Sequence, residues 1–451
     1  MKNNNIIKRI ATVLLAGVMI ISAFAGCSGG ANAPASGGTP QSSGSQAASA
    51  GGQTSIRIAW WGNQLRNDTT VAMLDAFVAE NPNVKYEAEF TDWSGYWDKL
   101  ATQAASNNLP DIVQQDYAYI AQYHSRNQLA SLSEFVDSGK IDVSNVSDSI
   151  LSLGSFDGKL YALCAGVNAV GMLYNTRLAK EAGVEVPLRP TYEQFMEIAA
   201  KVYEATGVPS AVPAANGAIT MMARDMGEVF YDVANKKIGA SEATVLKYFN
   251  LIKTGINSKW HFSLDMIQEA STSGVEDKPL SKGTGFNEFP GGSNMMAAHQ
   301  APIEDELAMV MYTKLSDATK ESMYLRPSMF WSIIEASKNK EVAADIINFY
   351  TNAEKAQDIL QAERGVPVSS VMAEYLKPQL GAVQQKIFDY IAEVTKIAVP
   401  FDPPQPTGAN EVNKLLDDLT DLVRYGELTP EAATARFLPE ANDILARAAQ
   451  G

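Results

Sequence analysis

Residues 56–61 read IRIAWW, a run of β-branched and aromatic residues that is typical of a buried β-strand. Beyond them, apolar residues recur on one helical face over residues 69–80, and apolar and charged residues alternate over residues 84–90, as in a half-buried strand. A second helix is expected over about residues 92–104 and a third strand over residues 111–114. Strands and helices in this order predict an α/β fold with a mostly parallel sheet that carries helices on both faces.

Two loops follow strands of this predicted sheet. Residues 62–68 come after the first strand, and residues 115–119 come after the third. Ligands of such sheets bind beside the carboxyl ends of the strands, so both loops are expected to contribute to a binding site.

The remainder of the chain carries further signals of ordered structure. Asp157-Gly158 is expected to form a turn between short strands, and residues 160–174 form an almost continuous apolar run. Thr429-Pro430-Glu431 has the N-cap and first-turn proline that open a helix, and a helix with one apolar face is expected before it, around residues 412–422.

Composition narrows the class of protein. With 46% hydrophobic and 9% aromatic residues, the chain can bury a large core, and its 451 residues suggest two domains or one bilobal unit. The net charge of −15 disfavours nucleic acid as a partner, because phosphate backbones are repelled. Three histidines and two cysteines offer neither a thiol-rich metal site nor a disulfide framework, and no cofactor is expected.

The first 26 residues have the pattern of an export signal, with a basic start and an apolar core over residues 10–24. The alternative, a membrane span, needs roughly 20 apolar residues, which is longer than this run. The segment Phe24-Ala25-Gly26-Cys27 resembles the bacterial lipobox, although Phe24 stands where leucine is usual. The resemblance implies cleavage before Cys27 and a diacylglycerol on its sulfur, which would hold the protein on a membrane face.

Residues 28–55 contain only Ser, Gly, Ala, Asn, Pro, Thr and Gln. Such a segment cannot bury enough surface to order itself. As a flexible coil it would span about 30 Å, so residues 27–55 are interpreted as a lipidated cysteine and its tether.

Several short motifs along residues 55–451, each weak alone, occur together in a recognisable order. The chain resembles the extracellular solute-binding proteins of family 1, the sugar-binding lipoproteins of bacterial ABC importers. The motifs are Trp60-Trp61-Gly62-Asn63 with Arg66, Asn81-Pro82, Trp93, Tyr96-Trp97-Asp98-Lys99-Leu100, Pro110-Asp111-Ile112-Val113, Asp157-Gly158-Lys159-Leu160-Tyr161, Leu173-Tyr174-Asn175 and Arg364-Gly365-Val366-Pro367.

The resemblance implies a two-lobed, type II periplasmic-binding-protein-like fold, each lobe a mostly parallel sheet flanked by helices, with the ligand in the cleft between them. By analogy, residues 56–165 plus 328–368 form the N-terminal lobe and residues 166–327 plus 369–451 the C-terminal lobe. The implied function is a monomeric, non-enzymatic receptor, lipid-anchored on the extracellular face of the cytoplasmic membrane, which delivers a carbohydrate, expected to be an oligosaccharide, to an ABC permease.

Sugar rings present apolar C–H patches edged by hydroxyl groups, so aromatic faces and planar polar groups are the expected ligand contacts. Loop position and the resemblance together predict these ligand-binding residues: Asn63, Arg66, Trp93, Gln115, Asp116, Tyr117, Asn168, Phe289, Asn294, Trp331 and Arg364.

Some of these residues also have purely structural interpretations. Asp116 has the side chain of a helix N-cap, and Arg364 is placed to pin a helix end to the turn that follows it. Trp93 and Trp331 are equally consistent with packing. Cys164 lies in an apolar run and is expected to be a small core residue.

Other functions are open at this point. A related architecture could carry a peptide or another non-sugar solute. A surface-anchored glycoside hydrolase would need two carboxyl groups flanking the scissile bond, and Asp111 and Asp116 lie at opposite ends of one short strand. An adhesive lipoprotein would have no need of a cleft.

Overall fold

Two β-sheets organise the part of the chain that the structure, a computed structural model, describes, which is residues 53–449. The strands are β1 (Thr54–Trp61), β2 (Val84–Thr91), β3 (Ile112–Gln115), β4 (Ser155–Phe156), β5 (Lys159–Leu160), β6 (Leu163–Asn168), β7 (Val170–Asn175), β8 (Tyr231–Asp232), β9 (Lys237–Ile238), β10 (Asn287–Gly292), β11 (Leu307–Met311) and β12 (Arg326–Ile333).

Helices connect and cover these strands. They are α1 (Gln64–Glu80), α2 (Trp93–Ala105), α3 (Tyr117–Ser125), α4 (Ser133–Asp137), α5 (Asp148–Leu151), α6 (Thr176–Glu181), α7 (Tyr192–Thr206), α8 (Ala215–Asp225), α9 (Glu242–Ile256), α10 (Leu264–Thr272), α11 (Met296–Gln300), α12 (Lys340–Asn352), α13 (Glu354–Leu360), α14 (Ser370–Leu376), α15 (Ala382–Thr395), α16 (Ala409–Arg424) and α17 (Pro430–Ala448).

The first sheet has the strand order β2-β1-β3-β12-β6. Strand β1 runs parallel to both β2 and β3, which confirms the predicted β-α-β-α start of an α/β fold. Strand β12 is antiparallel to β3 and to β6. Ile56, Ile58 and Trp60 of β1 are buried, and the alternate residue Ala59 is buried as well, because helices cover both faces of the sheet.

The second sheet has the order β10-β7-β11, and both pairings are antiparallel. The two-lobed α/β prediction is confirmed, but the expectation of a mostly parallel sheet in each lobe is wrong for this one. The alternation of strand and helix that suggested parallel pairing was seen over residues 56–114. After β7 it stops, because helices α6 to α10 follow without another strand of this sheet.

The chain passes between the two sheets at the junction of β6 and β7 and again between β11 and β12. The predicted lobe boundaries at residues 165–166 and 327–328 fall inside β6 and β12, both of which pair within the first sheet. We propose that these boundaries lie at residue 169 and within residues 312–325 instead.

Most predictions for the N-terminal part of the chain concern residues that precede the described range. The export signal (1–26), Cys27 and the tether up to residue 52 lie outside the described residues. The predicted end of the tether is wrong, because Thr54 and Ser55 pair with Val84 and Lys85 as the first residues of β1. Between residues 53 and 449, no helix has the length and apolar character needed to cross a membrane.

Local capping explains where several helices begin. The Thr429 side chain accepts a hydrogen bond from the Ala432 amide, and Pro430 takes the first helical position of α17, as predicted. Asn63 caps α1 in the same way by accepting from the Arg66 amide at 2.9 Å. Helix α1 therefore begins just after β1, which brings its first turn to the carboxyl end of that strand.

Candidate functional site

A cleft of about 830 Å³ opens beside the carboxyl end of β3 and the segments that cross between the two sheets. It is bounded by the starts of α1, α3 and β12, by the loop after α13, by α15 and by the segment before α16. Its lining residues are Arg66, Asp116, Tyr117, Ala118, Asn168, Asn294, Ala297, Arg326, Pro327, Ser328, Met329, Ala362, Glu363, Arg364, Gly365, Val366, Gln384, Ile387, Phe388, Phe401, Pro403, Pro404 and Gln405.

More than half of the predicted ligand-binding residues meet in this cleft, although they come from distant parts of the chain. Ligand contact by each of them stays a prediction. They are Arg66, Asp116, Tyr117, Asn168, Asn294 and Arg364.

Three predicted residues lie outside the cleft because they have structural roles. Asn63 caps α1. Trp331 is 4% exposed on β12 and packs against Tyr350, with ring centroids 5.7 Å apart. Phe289 packs edge-on against Phe195 beside the second sheet, at 5.2 Å.

Trp93 and Gln115 also lie outside the cleft. Trp93 is 44% exposed at the start of α2, and its ring contacts Trp61 and Trp97 at 5.0 and 5.5 Å. The Gln115 side chain is fully buried, and neither of its polar atoms has a hydrogen-bond partner within residues 53–449. Both residues therefore belong to the packed region around the carboxyl ends of β1 and β3.

Sequence reasoning missed several cleft residues that come from the later part of the chain. Glu363 directly precedes the Arg364 motif, and an aromatic residue followed by prolines, at residues 401–404, was a usable loop signal. The missed polar and aromatic residues are Arg326, Ser328, Glu363, Gln384, Phe388, Phe401 and Gln405.

The loop after α13 supplies a network of charged groups. Arg66 donates through Nε to both carboxylate oxygens of Glu363, at 2.9 and 3.1 Å. Arg364 is almost entirely buried and donates to the Gln114 Oε1 atom at 2.9 Å and to the Thr70 hydroxyl at 2.8 Å. Burial lowers the pKa of Arg364, and its hydrogen bonds offset the cost of removing a charge from water.

Backbone contacts hold this loop against β6. Val167 and Val366 exchange two hydrogen bonds, of 2.9 and 3.1 Å. A Cβ atom on Gly166 would lie 2.3 Å from the Arg364 carbonyl oxygen, so glycine is needed for this close approach. The loop that carries Glu363 and Arg364 therefore packs directly on the edge of the first sheet.

Aromatic rings also line the cleft. The Tyr117 and Phe401 rings lie 5.1 Å apart, and Phe401 in turn contacts Tyr324 at 4.8 Å. The Tyr117 hydroxyl donates to the Asp402 carbonyl oxygen at 3.1 Å. Burial, helped by the nearby Asp402 charge, raises the pKa of Tyr117 to about 12, so the hydroxyl stays a donor at neutral pH.

Phe401 and Asp402 belong to residues 396–408, which connect α15 to α16 and which we call the strap. Arg224 of α8 holds the strap by donating to the Pro400 carbonyl oxygen at 2.9 Å and by an ion pair with Asp402. Burial raises the pKa of Asp402, although Arg224 opposes this effect. The strap therefore joins α8, beside the second sheet, to Tyr117 at the edge of the first.

Asp225, the last residue of α8, is fully buried next to Arg224. Its Oδ2 atom accepts from the Leu315 amide at 2.8 Å, while Oδ1 lies 3.7 Å from Arg189 Nη2, too far for a hydrogen bond. Burial raises the pKa of Asp225 to about 6.

Two polar residues face each other across the β12–β6 pair at the floor of the cleft. Arg326, the first residue of β12, stands opposite Asn168, the last residue of β6. Arg326 is exposed, and its guanidinium makes no hydrogen bond or salt bridge within the described chain. The Asn168 Oδ1 atom accepts a hydrogen bond from the Ser293 hydroxyl at 3.4 Å.

Asp116 is both a helix N-cap and a lining residue of the cleft. Its Oδ1 atom accepts from the Ala118 amide at 2.9 Å and so caps α3, and the residue also lines the cleft. Together with the aromatic rings, these side chains give the cleft both hydrogen-bonding groups and flat apolar surfaces. Within the described chain, no group of three or more His, Cys, Asp or Glu side chains is placed to hold a metal ion.

Comparisons with known proteins agree with this architecture. A family model described as bacterial extracellular solute-binding protein matches residues 72–386. A solved structure described as an extracellular solute-binding protein of family 1 from Alicyclobacillus acidocaldarius is 28% identical, with a TM-score of 0.81, over 87% of this chain and 99% of that chain.

Two curated relatives are more distant. The arabinooligosaccharide-binding protein of Bacillus subtilis is 25% identical over 215 residues, which is 46% of this chain and 48% of the relative. The diacetylchitobiose binding protein DasA of Streptomyces coelicolor is 25% identical over 257 residues, 54% of this chain and 57% of the relative. The chain thus spans about half the length of the curated relatives it matches.

Proposed function

Because this chain belongs to the bacterial extracellular solute-binding protein family, we propose that it is a receptor that binds an oligosaccharide in its cleft and delivers it to the permease of an ABC importer. The observation that carries the proposal is the composition of the cleft, which combines the Tyr117 and Phe401 rings with hydrogen-bonding side chains. The names of the curated relatives in Bacillus and Streptomyces, both oligosaccharide-binding proteins, support the choice of ligand.

The chemistry of the cleft suits a sugar chain. Aromatic rings pack on the C–H faces of pyranose rings, and hydroxyl groups need donors and acceptors once they leave water. Asp116, Asn294 and Gln384 present such groups at the surface of the cleft. A volume of about 830 Å³ lies within the usual range for ligand sites and has room for more than one sugar unit.

Closure around the ligand is the proposed signal to the permease. The chain crosses between the sheets at the β6–β7 and β11–β12 junctions, and the strap spans the same gap. A hinge at such crossings would let a sugar draw the two sides together and change the surface seen by a partner.

We propose that the sugar leaves the cleft chemically unchanged. A glycoside hydrolase needs one free acid and one free base or nucleophile. Both Glu363 oxygens already accept from Arg66, and Asp116 Oδ1 caps α3. Both cleft carboxylates therefore already have structural partners, which supports binding rather than hydrolysis.

The membrane anchor is proposed on the sequence alone. Lipidated Cys27 and the tether that follows it would keep a monomeric receptor on the extracellular face of the cytoplasmic membrane. Mass spectrometry of the membrane fraction should find two acyl chains on Cys27 and none on a C27S variant. A wild-type protein released with an unmodified Cys27 would contradict the anchor without affecting the binding proposal.

Binding is tested on soluble protein beginning at residue 53, with a panel of neutral and acidic oligosaccharides in a thermal-shift assay. At 100 times the dissociation constant, ligand binding stabilises a protein by about 2.7 kcal/mol, so a true ligand should raise the melting temperature by about 3 °C. Chromatography of the sugar afterwards should recover it intact. The receptor proposal fails if every sugar leaves the melting temperature unchanged, and the non-enzymatic proposal fails if cleavage products form.

A further inference from the structure

Resting on the function proposed above, we propose that the oligosaccharide is acidic, and that Arg326 and Asn168 together bind the carboxylate of one of its uronic acid units. This goes beyond sugar binding in general, since it assigns both a charge to the ligand and the residues that recognise it.

The first observation is that Arg326 differs from the other two arginines of the cleft. Arg66 is engaged by Glu363, and Arg364 by Gln114 and Thr70. Arg326 is exposed to the cleft, and its guanidinium has no partner within residues 53–449. It therefore presents five N–H donors and a positive charge that the described chain leaves uncompensated.

The second observation concerns the amide opposite Arg326. The Ser293 hydroxyl oxygen accepts a hydrogen bond from the Ala169 amide at 3.1 Å, so its own proton is free to be donated to Asn168 Oδ1 at 3.4 Å. With Oδ1 turned towards Ser293, the Nδ2 group of Asn168, which is only a donor, has no acceptor in the described chain.

The register of the strands brings these two donors together. Arg326 and Asn168 are directly opposite in the antiparallel β12–β6 pair, and both line the cleft. Opposite residues have Cβ atoms roughly 5 Å apart. A ligand group that only accepts hydrogen bonds matches this pair better than a hydroxyl group, which also has a proton to donate.

A planar carboxylate fits these donors best. Guanidinium groups bind carboxylates through two parallel hydrogen bonds, and charge-assisted bonds are about twice as strong as neutral ones. The net charge of −15 repels anions at long range, so selection of a carboxylate depends on this local contact with the Arg326 guanidinium.

Isothermal titration calorimetry of the soluble receptor gives a direct test. The probes are trimers of galacturonate, of mannuronate and of glucuronate, their methyl esters, the corresponding neutral trimers and a sulfated neutral trimer. The expected result is binding of at least one uronate trimer, with a loss of about 10- to 100-fold in affinity when the same trimer is esterified.

Two variants test which residues cause this loss of affinity, and a third serves as a control. R326Q should lose about the same factor for the uronate trimer, and its loss for the methyl ester should be several-fold smaller. N168D keeps the acceptor for Ser293 but replaces the donor by an anion, so it should also weaken the uronate trimer selectively. R436Q, the same change at an exposed site on α17, should bind both ligands like the wild type.

Each alternative outcome overturns the inference in a distinct way. If a neutral trimer binds best and R326Q leaves its affinity unchanged, the receptor function stands and the acidic ligand is wrong. If the sulfated trimer binds more tightly than every uronate, the carboxylate is wrong. If no trimer of any kind binds, the receptor function fails together with the inference.

Discussion

A charged side chain is buried beside each of the two sheets, and the two sites differ in how well that charge is bonded. Arg364, beside the first sheet, donates to Gln114 and Thr70 and lies over the Trp331 ring. Asp225, beside the second, has one oxygen bonded to the Leu315 amide and one with no hydrogen bond in the described residues. A buried charge stabilises its surroundings only when its hydrogen bonds are satisfied, so the two sites are expected to respond in opposite directions when the charge is removed.

The largest effect is expected at the well-bonded site. Arg364→Leu leaves the Gln114 and Thr70 oxygens without their donor, and the free energy of unfolding should fall by about 3 kcal/mol. Urea unfolding followed by tryptophan fluorescence measures the change. The control is Arg436→Leu on the exposed face of α17, which should stay within about 0.5 kcal/mol of the wild type. A loss below about 1 kcal/mol for Arg364→Leu would remove the contrast between the two sites.

The poorly bonded site should respond to pH with the opposite sign. Burial raises the pKa of Asp225 to about 6, so the folded protein holds this proton more tightly than the unfolded chain does. Its contribution to stability is complete below pH ~4, the usual pKa of an aspartate, and is lost as the pH rises through about 6.

Asp225→Asn should therefore be more stable than the wild type at pH 7, by roughly 2 kcal/mol. It should also remove the decline in stability between pH 4 and 7. The asparagine oxygen still accepts from the Leu315 amide, and Arg189 keeps its ion pair with Glu321. Asp443→Asn on the exposed face of α17 serves as the control. Equal stability of Asp225→Asn and the wild type across this pH range would contradict the raised pKa of Asp225.

A smaller effect, on ligand affinity, is expected from a substitution in the strap. Phe401→Ala removes a ring from the cleft, and oligosaccharide affinity should fall about 10-fold, since an aromatic contact contributes about 0.5–1.5 kcal/mol. Because Phe401 is only partly buried but contacts the Tyr117 and Tyr324 rings, the free energy of unfolding should fall by only about 1 kcal/mol.

Phe90→Ala is the matched control for the strap variant. Phe90 is 44% exposed and stacks on Trp60 at 5.1 Å, but it does not line the cleft. Calorimetry should show wild-type affinity for this variant. If the two variants lose the same affinity, the strap ring has no specific part in binding.

The sequence predicted the parallel strands β2, β1 and β3 of the first sheet because their signals are local, but it did not predict that β12 and β6 complete this sheet. Strands β1 and β2 follow a two-residue alternation or an apolar run, and the chain order of strand and helix indicates their parallel pairing. The second sheet escaped prediction because β7 pairs with β10 and β11, more than one hundred residues further along. The local sequence of these strands does not indicate whether they pair in parallel or antiparallel.

The residues of the candidate site also fall into two groups, those that local signals predicted and those that depend on long-range contacts. Arg66, Asp116 and Tyr117 were predicted because they follow strands whose carboxyl ends must meet. Arg326 and Phe401 were missed because their approach to the cleft depends on long-range pairing and on the Arg224 contact with the strap. Asn63 was assigned to the ligand, although the helix that starts at the next residue accounts for its side chain locally.

The pair of hydrogen bonds between Val167 and Val366 has a mechanical consequence. It joins the strand that ends in Asn168 to the loop that carries Glu363 and Arg364. Gly166 lets the two backbones pack in close contact, because a Cβ atom there would clash with the loop. Under the proposed function, a sugar that contacts either element would act on both together. Any rearrangement of the cleft around the ligand would then be expected in the strap rather than on this side.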